Sequence, residues 1–425
     1  MKTLCSNALT AAAFALSALV LSSPALAQTD RFVAPGGNNS GNTCTSAGSP
    51  CATIGHALGQ ASGGDRIVLA AGIYTESLNI DRSIEIVGNG MSESIIQAAA
   101  TPDTASQRVI TVASSSHRLT LRHLTVRHGY ASATLQPGSN GGGIYLPGGD
   151  LELEHVALVA NRCRSNGGAI YNGGGEVTMT FADLRGNFAT LVEGSFGRGG
   201  AIYNTDGSSL VAVNSWFRGN ITAQGGAIYN FGTDTAIDLT NVAVTGNFAT
   251  NLGGGISNFS GALLVTNSVF SANRAEGDGG GIRTGGPDPI IRNSVFWNNQ
   301  DQTGTGTFRA SISSGVSNPR ISHSLVQGCG ASGTAWNSDC GQDIGNNLAA
   351  QNPNFIEAIT PASAPNASGY FRQNTASPII GRGNNAYITG TSTDLDGLAR
   401  IIDGIVDLGP YEFGNDTLFR DRFEP

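Results

Sequence analysis

Lysine is almost absent from this sequence of 425 residues. Its single lysine is Lys2, and every other strong cation is an arginine. Charged residues make up only 13% of the chain, and the formal net charge is −8. Proteins that bind nucleic acid neutralise phosphates with many lysine and arginine side chains. We therefore expect no nucleic acid partner for this acidic chain.

Long hydrophobic runs are also lacking. The apolar stretch from Leu9 to Val20 follows Met1 and Lys2 and is shorter than the ~20 residues of a membrane-spanning helix. The small residues that end at Ala27 complete the pattern of a secretory signal peptide, residues 1–27. Its removal would change the net charge from −8 to −9, since only Lys2 is lost. We expect a monomeric protein without a transmembrane segment, secreted or held at the outer surface.

Cysteines are few, and their spacing is uneven. Cys5 lies in the predicted signal peptide, and Cys163 stands alone. Close cysteine pairs in an exported protein predict small disulfide loops, whereas a lone cysteine is more often a buried apolar residue. The two predicted disulfides join Cys44 to Cys51 and Cys329 to Cys340.

Glycine, in contrast, is abundant, with 60 residues, many of them in one repeated phrase. Variants of "GGAIYN" occur six times, and their isoleucines are separated by 26, 32, 26, 28 and 26 residues. A second phrase, such as "FRGN" or "FSAN", recurs in step with the first. A fixed period of this length indicates a repeat architecture. The six isoleucines are Ile144, Ile170, Ile202, Ile228, Ile256 and Ile282.

Apolar and polar residues alternate between these phrases, as in the segment 151–154, "LELE". This alternation predicts half-buried strands, and no helical segment of 10–15 residues separates them. Short strands stacked on copies of themselves make a parallel β-helix, in which equivalent residues lie ~4.8 Å apart. The isoleucines are then predicted to form an interior ladder, and asparagines to pass hydrogen bonds between coils. Four tyrosines point outward by the same parity: Tyr145, Tyr171, Tyr203 and Tyr229.

The repeated phrases resemble the GGA[IL] and FxxN motifs of polymorphic outer-membrane protein repeats. The stretch from Gly64 to Gly90 resembles the opening coils of the pectate-lyase-like β-helix superfamily. These resemblances imply an all-β fold, a right-handed parallel β-helix of about 26 residues per coil. They are specific for fold and weak for function. Polymorphic repeats normally sit on an autotransporter barrel, and the 80 residues after Gly345 offer no strands of that kind.

The ends of the stack are predicted to carry caps, because an open β-helix exposes strand edges. Helical spacing from Ile54 to Ala61 predicts a short helix over the first coil. The stretch "DIGNNLAAQNPNF" and the segment that contains "DLDGLARIIDGIVDLGPYEF" resemble the choice-of-anchor module of secreted bacterial proteins. The predicted divisions are 1–27 (signal peptide), 28–64 (cap), 65–345 (β-helix) and 346–425 (small β-rich C-terminal module with a tail).

The superfamily includes polysaccharide lyases, so lyase chemistry has to be considered. A lyase neutralises a uronate carboxylate, often with Ca²⁺, and removes the adjacent proton with a strong base. The mature chain has no lysine for this purpose, so an arginine would have to serve. Turn and surface charges are the alternative explanation for the candidate cluster, and we favour it. That cluster consists of Arg283 or Arg292 near Asp278 and Asp288.

Three further motifs resemble functional sites, and each also has an ordinary structural interpretation. The phrase "NTDG" resembles part of the polygalacturonase signature, but its other motifs are missing, so Asp206 is interpreted as a turn residue. "DLDG" at 394–397 resembles a calcium loop without its glycine and glutamate, and is also interpreted as a turn. Alignment of two coils puts His123 beside His155, and Arg122 beside Glu154. Two ligands without a third make no metal site, so we predict a stacked pair and an ion pair.

Two functions remain open from the sequence. The first is a secreted or surface-associated noncatalytic β-helix for adhesion or for contact with extracellular polysaccharide or a host or cell-surface glycan, without a cofactor. The outward tyrosines are its candidate binding residues. The alternative explanation for them, which we favour, is that each ring stacks on the next. The alternative is a polysaccharide lyase or hydrolase that acts on acidic polysaccharide, with Ca²⁺ if it is a lyase. The discriminating feature is an outward position that gathers a base and several carboxylates from neighbouring coils.

Overall fold

The computed structural model describes residues 28–132, 134–135, 138–190, 197–388 and 390–414. The predicted signal peptide, the inserted loop at 191–196 and the C-terminal tail lie outside the described residues. Within the described ranges, no helix is both long and apolar enough to cross a membrane.

One coil of the chain passes four faces in turn. In the coil that begins at Ile144, residues 144–146 lie on face D, 150–154 on face A, 156–159 on face B and 162–163 on face C. Faces A and B are two halves of one 18-stranded sheet, face C has eight strands and face D has nine. Neighbouring coils pair in parallel, residue for residue. The fold is a right-handed parallel β-helix, as predicted.

The strands of each face recur in chain order. Faces A and B contain Asp30–Val33, Arg66–Leu69, Gly72–Thr75, Ile84–Val87, Ser94–Gln97, Arg118–Arg127, Asp150–Val159, Glu176–Thr180, Asp183–Arg185, Ser209–Arg218, Ala236–Thr245, Ala262–Thr266, Val269–Ser271, Ile290–Arg292, Val295–Trp297, Arg320–Ser322, Leu325–Val326 and Gln342–Gly345. Face C contains Tyr130–Ala131, Arg162–Cys163, Phe188–Ala189, Ile221–Gln224, Phe248–Leu252, Arg274–Ala275, Gln300–Asp301 and Gly304–Thr305. Face D contains Leu78–Ile80, Ile110–Val112, Ile144–Leu146, Ile170–Gly173, Ile202–Thr205, Ile228–Phe231, Ile256–Asn258, Ile282–Thr284 and Ile312–Ser314.

Single residues in the left-handed conformation bend the chain between faces. Between faces A and B this residue has φ near +50°, as in His155 (51°) and Asn214 (47°). Between faces C and D the repeated glycines take this role, as in Gly199 (65°) and Gly225 (68°). Glycine and asparagine tolerate this conformation best. The next glycine also packs tightly, because a Cβ at Gly200 would lie 2.1 Å from the carbonyl oxygen of Gly226.

The core is the predicted ladder of branched side chains. Ile144, Ile170, Ile202, Ile228, Ile256 and Ile282 pair in register on face D, and each is 0% exposed. Leucines and valines of face A fill the opposite side. On face B the inward positions become aromatic, and the rings of Phe270 and Phe296 stack with centroids 4.6 Å apart.

Two buried asparagine ladders run along the helix, as predicted. In the first, each Nδ2 donates to the Oδ1 of the next coil at 2.8 Å, from Asn172 through Asn204 and Asn230 to Asn258. The second extends beyond the predicted series and connects Asn161, Asn187, Asn220, Asn247, Asn273 and Asn299 at 2.9–3.2 Å.

The N-terminal cap also agrees with the sequence. The helix Ile54–Gln60 begins after Thr53, whose hydroxyl accepts a hydrogen bond from the backbone N–H of His56. Disulfides join Cys44 to Cys51 and Cys329 to Cys340, while Cys163 is free and buried. Burial raises the pKa of the Cys163 thiol to about 12, so this cysteine is an inert packing residue, as predicted.

The C-terminal segment after the last face A strand folds back onto the outside of face B. It contains the antiparallel pair Phe355–Glu357 and Tyr370–Gln373 and is otherwise mostly irregular. A second hydrophobic cluster forms there, where Ala243, Val269 and Val295 of face B meet side chains of the segment. The short helices of the chain are Phe308–Ser311 and the 3-10 turns Ser338–Cys340, Pro361–Ser363 and Asn385–Tyr387.

Candidate functional site

The four predicted tyrosines form a continuous row on the outside of face D. Their rings stack in pairs, with centroids 5.3, 5.6 and 5.5 Å apart along the row. Arg108 lies 4.7 Å from the centre of the first ring, and Arg198 lies 5.4 Å from the last. From the N-terminal end, the row consists of Tyr145, Tyr171, Tyr203 and Tyr229.

The four tyrosines point outward and stack on one another as predicted, but they differ in exposure. Tyr145 and Tyr171 are half-buried, but Tyr203 is 7% exposed and Tyr229 only 3%. Burial raises the pKa of Tyr171 to about 12, and the nearby charge of Asp206 and the neighbouring tyrosines add to the shift. Tyr171 lies between two rings and is still half-buried, whereas Tyr229 has a tyrosine on one side only and is almost fully buried. Only the N-terminal half of the row therefore offers ring surface to a ligand.

The predicted arginine–aspartate cluster does not assemble as a unit. Arg283 and Asp278 line one cleft of about 310 Å³, together with Arg309 and Asp339. Asp288 instead accepts a hydrogen bond from the backbone N–H of Asn318 at 2.7 Å.

Arg292 is also separate from that cleft. Its Nε donates to the hydroxyl of Thr266 at 3.0 Å, and its guanidinium lies 4.9 Å from the ring centre of Tyr387. The two arginines of the predicted cluster lie on different faces, because residue 283 is in a face D strand and residue 292 in a face A strand.

Asp278 is unsuited to accept a proton. Burial alone would raise its pKa, but hydrogen bonds from Gln302 (2.8 Å) and Arg309 (2.6 Å) and the charges of Arg309 and Arg283 outweigh this and lower it. A carboxylate held in its charged form by such partners is a weak base. Asp278 in this cleft is therefore poorly suited to act as a general base.

Face A carries a second charged cluster, which the sequence revealed only in part. The predicted pair Arg122 and Glu154 is an ion pair. Arg122 also donates to Glu85 at 2.9 Å and to Glu152 at 2.8 Å, and Arg118 donates to Glu152 at 2.7 Å. These residues come from three neighbouring coils. Each carboxylate already has an arginine partner, so the cluster is complete as an ion-pair network.

The histidine pair is confirmed as a stack. The rings of His123 and His155 lie 5.0 Å apart, and Phe181 continues the stack at 4.8 Å. All three residues occupy the left-handed bend between faces A and B.

The described residues also give little support for a metal site. The one group of three metal-ligating side chains that meet within the described ranges is Cys44, Cys51 and His56. Both sulfurs of this group are joined in a disulfide, so they do not bind a metal as thiolates.

The turn interpretation of Asp206 is confirmed, because it is exposed with φ of 57°. The "DLDG" motif is also a turn, in which the Gly397 N–H donates to the Asp394 carbonyl at 2.9 Å. Its two carboxylates have an additional structural role that the sequence analysis missed. Both are buried, and both pair with Arg372, at 3.4 Å from Asp394 and 2.7 Å from Asp396.

This turn belongs to a buried ionic network that fixes the C-terminal segment against face B. Arg400 is 1% exposed, pairs with Glu412 and donates to the carbonyl of Gly409 at 2.6 Å. It also reaches the β-helix itself, where its Nε donates to Asn241 Oδ1 at 3.1 Å. The sequence does contain a signal for this network, because aspartates and arginines are concentrated in one segment of a chain that has few charges.

Face B is consequently covered along the contact, whereas the described part of the C-terminal segment leaves faces A and D uncovered. Trp216 donates to the hydroxyl of Tyr411 at 3.2 Å, and Asn293 donates to the carbonyl of Asn384 at 3.0 Å. A ligand of the β-helix would have to approach faces that the segment leaves free.

Comparison with known proteins gives structural similarity without a family assignment. No family model and no curated protein sequence matches the chain. The solved structure of pectate lyase Pel9A is 18% identical over 91% of this chain and 96% of its own, with a TM-score of 0.46. A rhamnogalacturonan lyase is 14% identical over 82% and 97%, with a TM-score of 0.45. Pectin methylesterase PemA from Erwinia chrysanthemi is 13% identical over 71% and 80%, with a TM-score of 0.32.

Proposed function

We propose that this protein is a secreted, noncatalytic β-helix that contacts glycans along its outer surface. The observation that carries the proposal is the continuous tyrosine row on face D. Its first two rings, Tyr145 and Tyr171, keep accessible surface. Aromatic rings with a polar tip suit ligands that are apolar on one side and wet on the other, which is the character of a pyranose ring.

The surroundings of the row support contact with an extended chain better than enclosure of a small molecule. The clefts along faces A and D are open and shallow, and the tyrosines repeat once per coil. Arg108 packs over the ring of Tyr145 at the N-terminal end and is itself only 3% exposed, so the accessible surface there belongs to the tyrosine. A polymer that runs parallel to the β-helix axis meets equivalent positions on successive coils.

A glycan array tests this function directly. The wild-type protein is expected to be retained on at least one class of neutral or acidic polysaccharide. Tyr145→Ala and Tyr171→Ala should keep the β-sheet circular dichroism spectrum and lose most of that retention, because they remove the accessible rings. Tyr130→Ala is the matched control, since Tyr130 is a half-buried tyrosine on face C. Retention that survives both face D substitutions would contradict the proposed surface.

One observation favours the alternative, a lyase or hydrolase that acts on acidic polysaccharide. The face A cluster gathers Arg122 and three glutamates from neighbouring coils, which is the pattern expected of an enzyme. Because each carboxylate is already paired, we expect no activity. The test follows absorbance of the unsaturated product on uronic-acid polymers, with and without Ca²⁺. Product that forms with the wild-type protein and is lost in Arg122→Gln would favour the enzyme.

A further inference from the structure

Two exposed phenylalanines lie at one edge of face D. The first ends the strand that contains Tyr229, and the second follows the face D strand of the next coil. Phe231 is 43% exposed and Phe259 is 56% exposed. They occupy equivalent positions on successive coils, just after the paired residues Asn230 and Asn258. Their ring centroids are 5.6 Å apart, and the rings are tilted by 42°. Adjacent exposed rings of this kind are typical of interaction sites.

On the next two coils, the positions equivalent to the two phenylalanines are glycines, which leave a notch without side chains. The position after Phe259 is Gly285, whose N–H donates to the carbonyl of Asn258 at 3.0 Å, and the next is Gly315. A Cβ at Gly315 would lie 2.9 Å from both terminal nitrogens of Arg283. The guanidinium therefore lies in the space that these glycines leave open. Two exposed rings and one cation follow each other along the helix axis.

Arg283 differs from the other arginine of this cleft in its partners. Arg309 forms an ion pair with Asp278 at 2.6 Å. Arg283 donates to the carbonyl of Thr284, and in the described part of the chain it forms no ion pair. Asp339 lines the same cleft and opposes a negative ligand. The charge of Asp278 acts on Arg283 without a direct ion pair. The guanidinium can therefore bind a ligand carboxylate, since arginine binds carboxylates through charge-assisted hydrogen bonds.

We propose that Phe231, Phe259 and Arg283 form a subsite for a uronic-acid unit of an extended oligosaccharide. The two rings pack against the apolar faces of consecutive pyranose units, and the guanidinium binds the carboxylate of the unit over the glycine notch. This assignment rests on the proposed glycan-binding function and names its ligand class, an acidic polysaccharide. The subsite is distinct from the accessible tyrosines, which lie on coils of face D nearer the N-terminus.

Isothermal titration calorimetry with two probes tests the subsite: a hexamer of galacturonic acid and a neutral hexamer of galactose. Arg283→Gln and Phe259→Ala are each expected to weaken binding of the acidic hexamer about tenfold, as for loss of one charged hydrogen bond or one buried ring. Arg283→Gln should also abolish the preference for the acidic probe over the neutral one. Asp339→Asn should strengthen binding of the acidic hexamer, because it removes an opposing charge.

Matched controls separate the row from general surface effects. Ile73→Ala removes an apolar side chain that is 55% exposed at the other end of the molecule, and Arg320→Gln removes an exposed arginine of face A. Both are expected to bind like the wild-type protein. Melting temperatures of all variants should match, since none of the altered side chains is buried.

The outcomes distinguish this inference from the proposed function. Losses confined to the Phe259 and Arg283 variants support the subsite. Glycan binding that both variants retain, or that shows no preference for the acidic hexamer, overturns the subsite and leaves the proposed function standing. A wild-type protein that binds no glycan overturns both. Self-association that Phe259→Ala abolishes, in place of glycan binding, assigns the rings to a second copy of the chain and also overturns the subsite.

Discussion

Each interior residue of this protein packs between its own counterparts in the coils before and after it. A side chain that fits one coil therefore fits the next, and the chain repeats isoleucine on face D and phenylalanine on face B. Exterior positions follow the same rule, which is why the tyrosines stack. An outward direction does not by itself give exposure, since Tyr203 and Tyr229 are buried although they point outward.

At this scale, Ile228→Asp tests the interior ladder. Ile228 is 0% exposed and lies between Ile202 and Ile256. An unpaired carboxylate in that position should lower the free energy of unfolding by roughly 3–5 kcal/mol. Thermal melting followed by circular dichroism measures the loss. Val316→Asp is the control, because Val316 is 89% exposed; equal melting of the two variants would remove the ladder from the account.

At the scale of elements, the turns carry the polar groups that strands alone leave unsatisfied. The asparagine beside the bend between faces B and C, such as Asn247, donates to a backbone carbonyl of the coil before it and to the side-chain oxygen of the equivalent asparagine in the next coil. Such chains of buried hydrogen bonds are stabilising only when every member is paired. The glycines between faces C and D have a steric role, since backbone atoms of the next coil occupy the space of a Cβ.

Asn247→Ala interrupts the longer asparagine ladder at its centre. The Asn247 side chain accepts from both nitrogens of Asn220 at 2.9 Å and donates to the Asn273 side chain at 2.9 Å and the Phe217 carbonyl at 2.8 Å. Several buried groups lose their partners, so we expect a loss of about 2–4 kcal/mol in denaturant unfolding. Asn79→Ala, at an exposed strand position, should change stability by less than about 0.5 kcal/mol. Similar losses in both variants would mean that the ladder contributes nothing specific.

At the scale of the molecule, the described part of the C-terminal segment covers face B and does not cover faces A and D. The contact combines an apolar cluster with a buried ionic network around Arg372 and Arg400. Removal of one partner from such a network is costly, because the other charge remains buried. Docking of the segment thus makes face B differ from the other faces of an otherwise uniform stack.

This docking should depend on pH. Burial raises the pKa of Glu412 to about 8 from an ordinary value of 4.5, against the opposing charge of Arg400. Because the folded-state pKa is raised, the stability from the protonated carboxyl is complete below pH 4.5 and is lost as pH rises to about 8. The loss is at most about 1.4 kcal/mol per pH unit. Burial also raises the pKa of Asp394, which adds to the same trend.

Thermal melting followed by tryptophan fluorescence at pH 5, 6.5 and 8 measures this dependence, since Trp216 contacts Tyr411 of the segment. Glu412→Gln mimics the protonated carboxyl and should melt with a flatter pH dependence over this range. Glu176→Gln, at an exposed strand end, should keep the wild-type slope. The same slope in Glu412→Gln and the wild-type protein would exclude Glu412 as the titrating group.

The sequence by itself determined the β-helix, the isoleucine and asparagine ladders, the helical cap and both disulfides. These features depend on period and parity, which repeat along the chain and bring each residue next to its own copy. Contacts between residues far apart in sequence carry no such signal. Only the tertiary structure decided that face B is covered, that Tyr203 and Tyr229 are buried, and that Arg292 and Asp288 lie apart from Arg283. It also placed the Arg283 guanidinium in the space beside Gly285 and Gly315, because side-chain direction and burial depend on packing that the period does not encode.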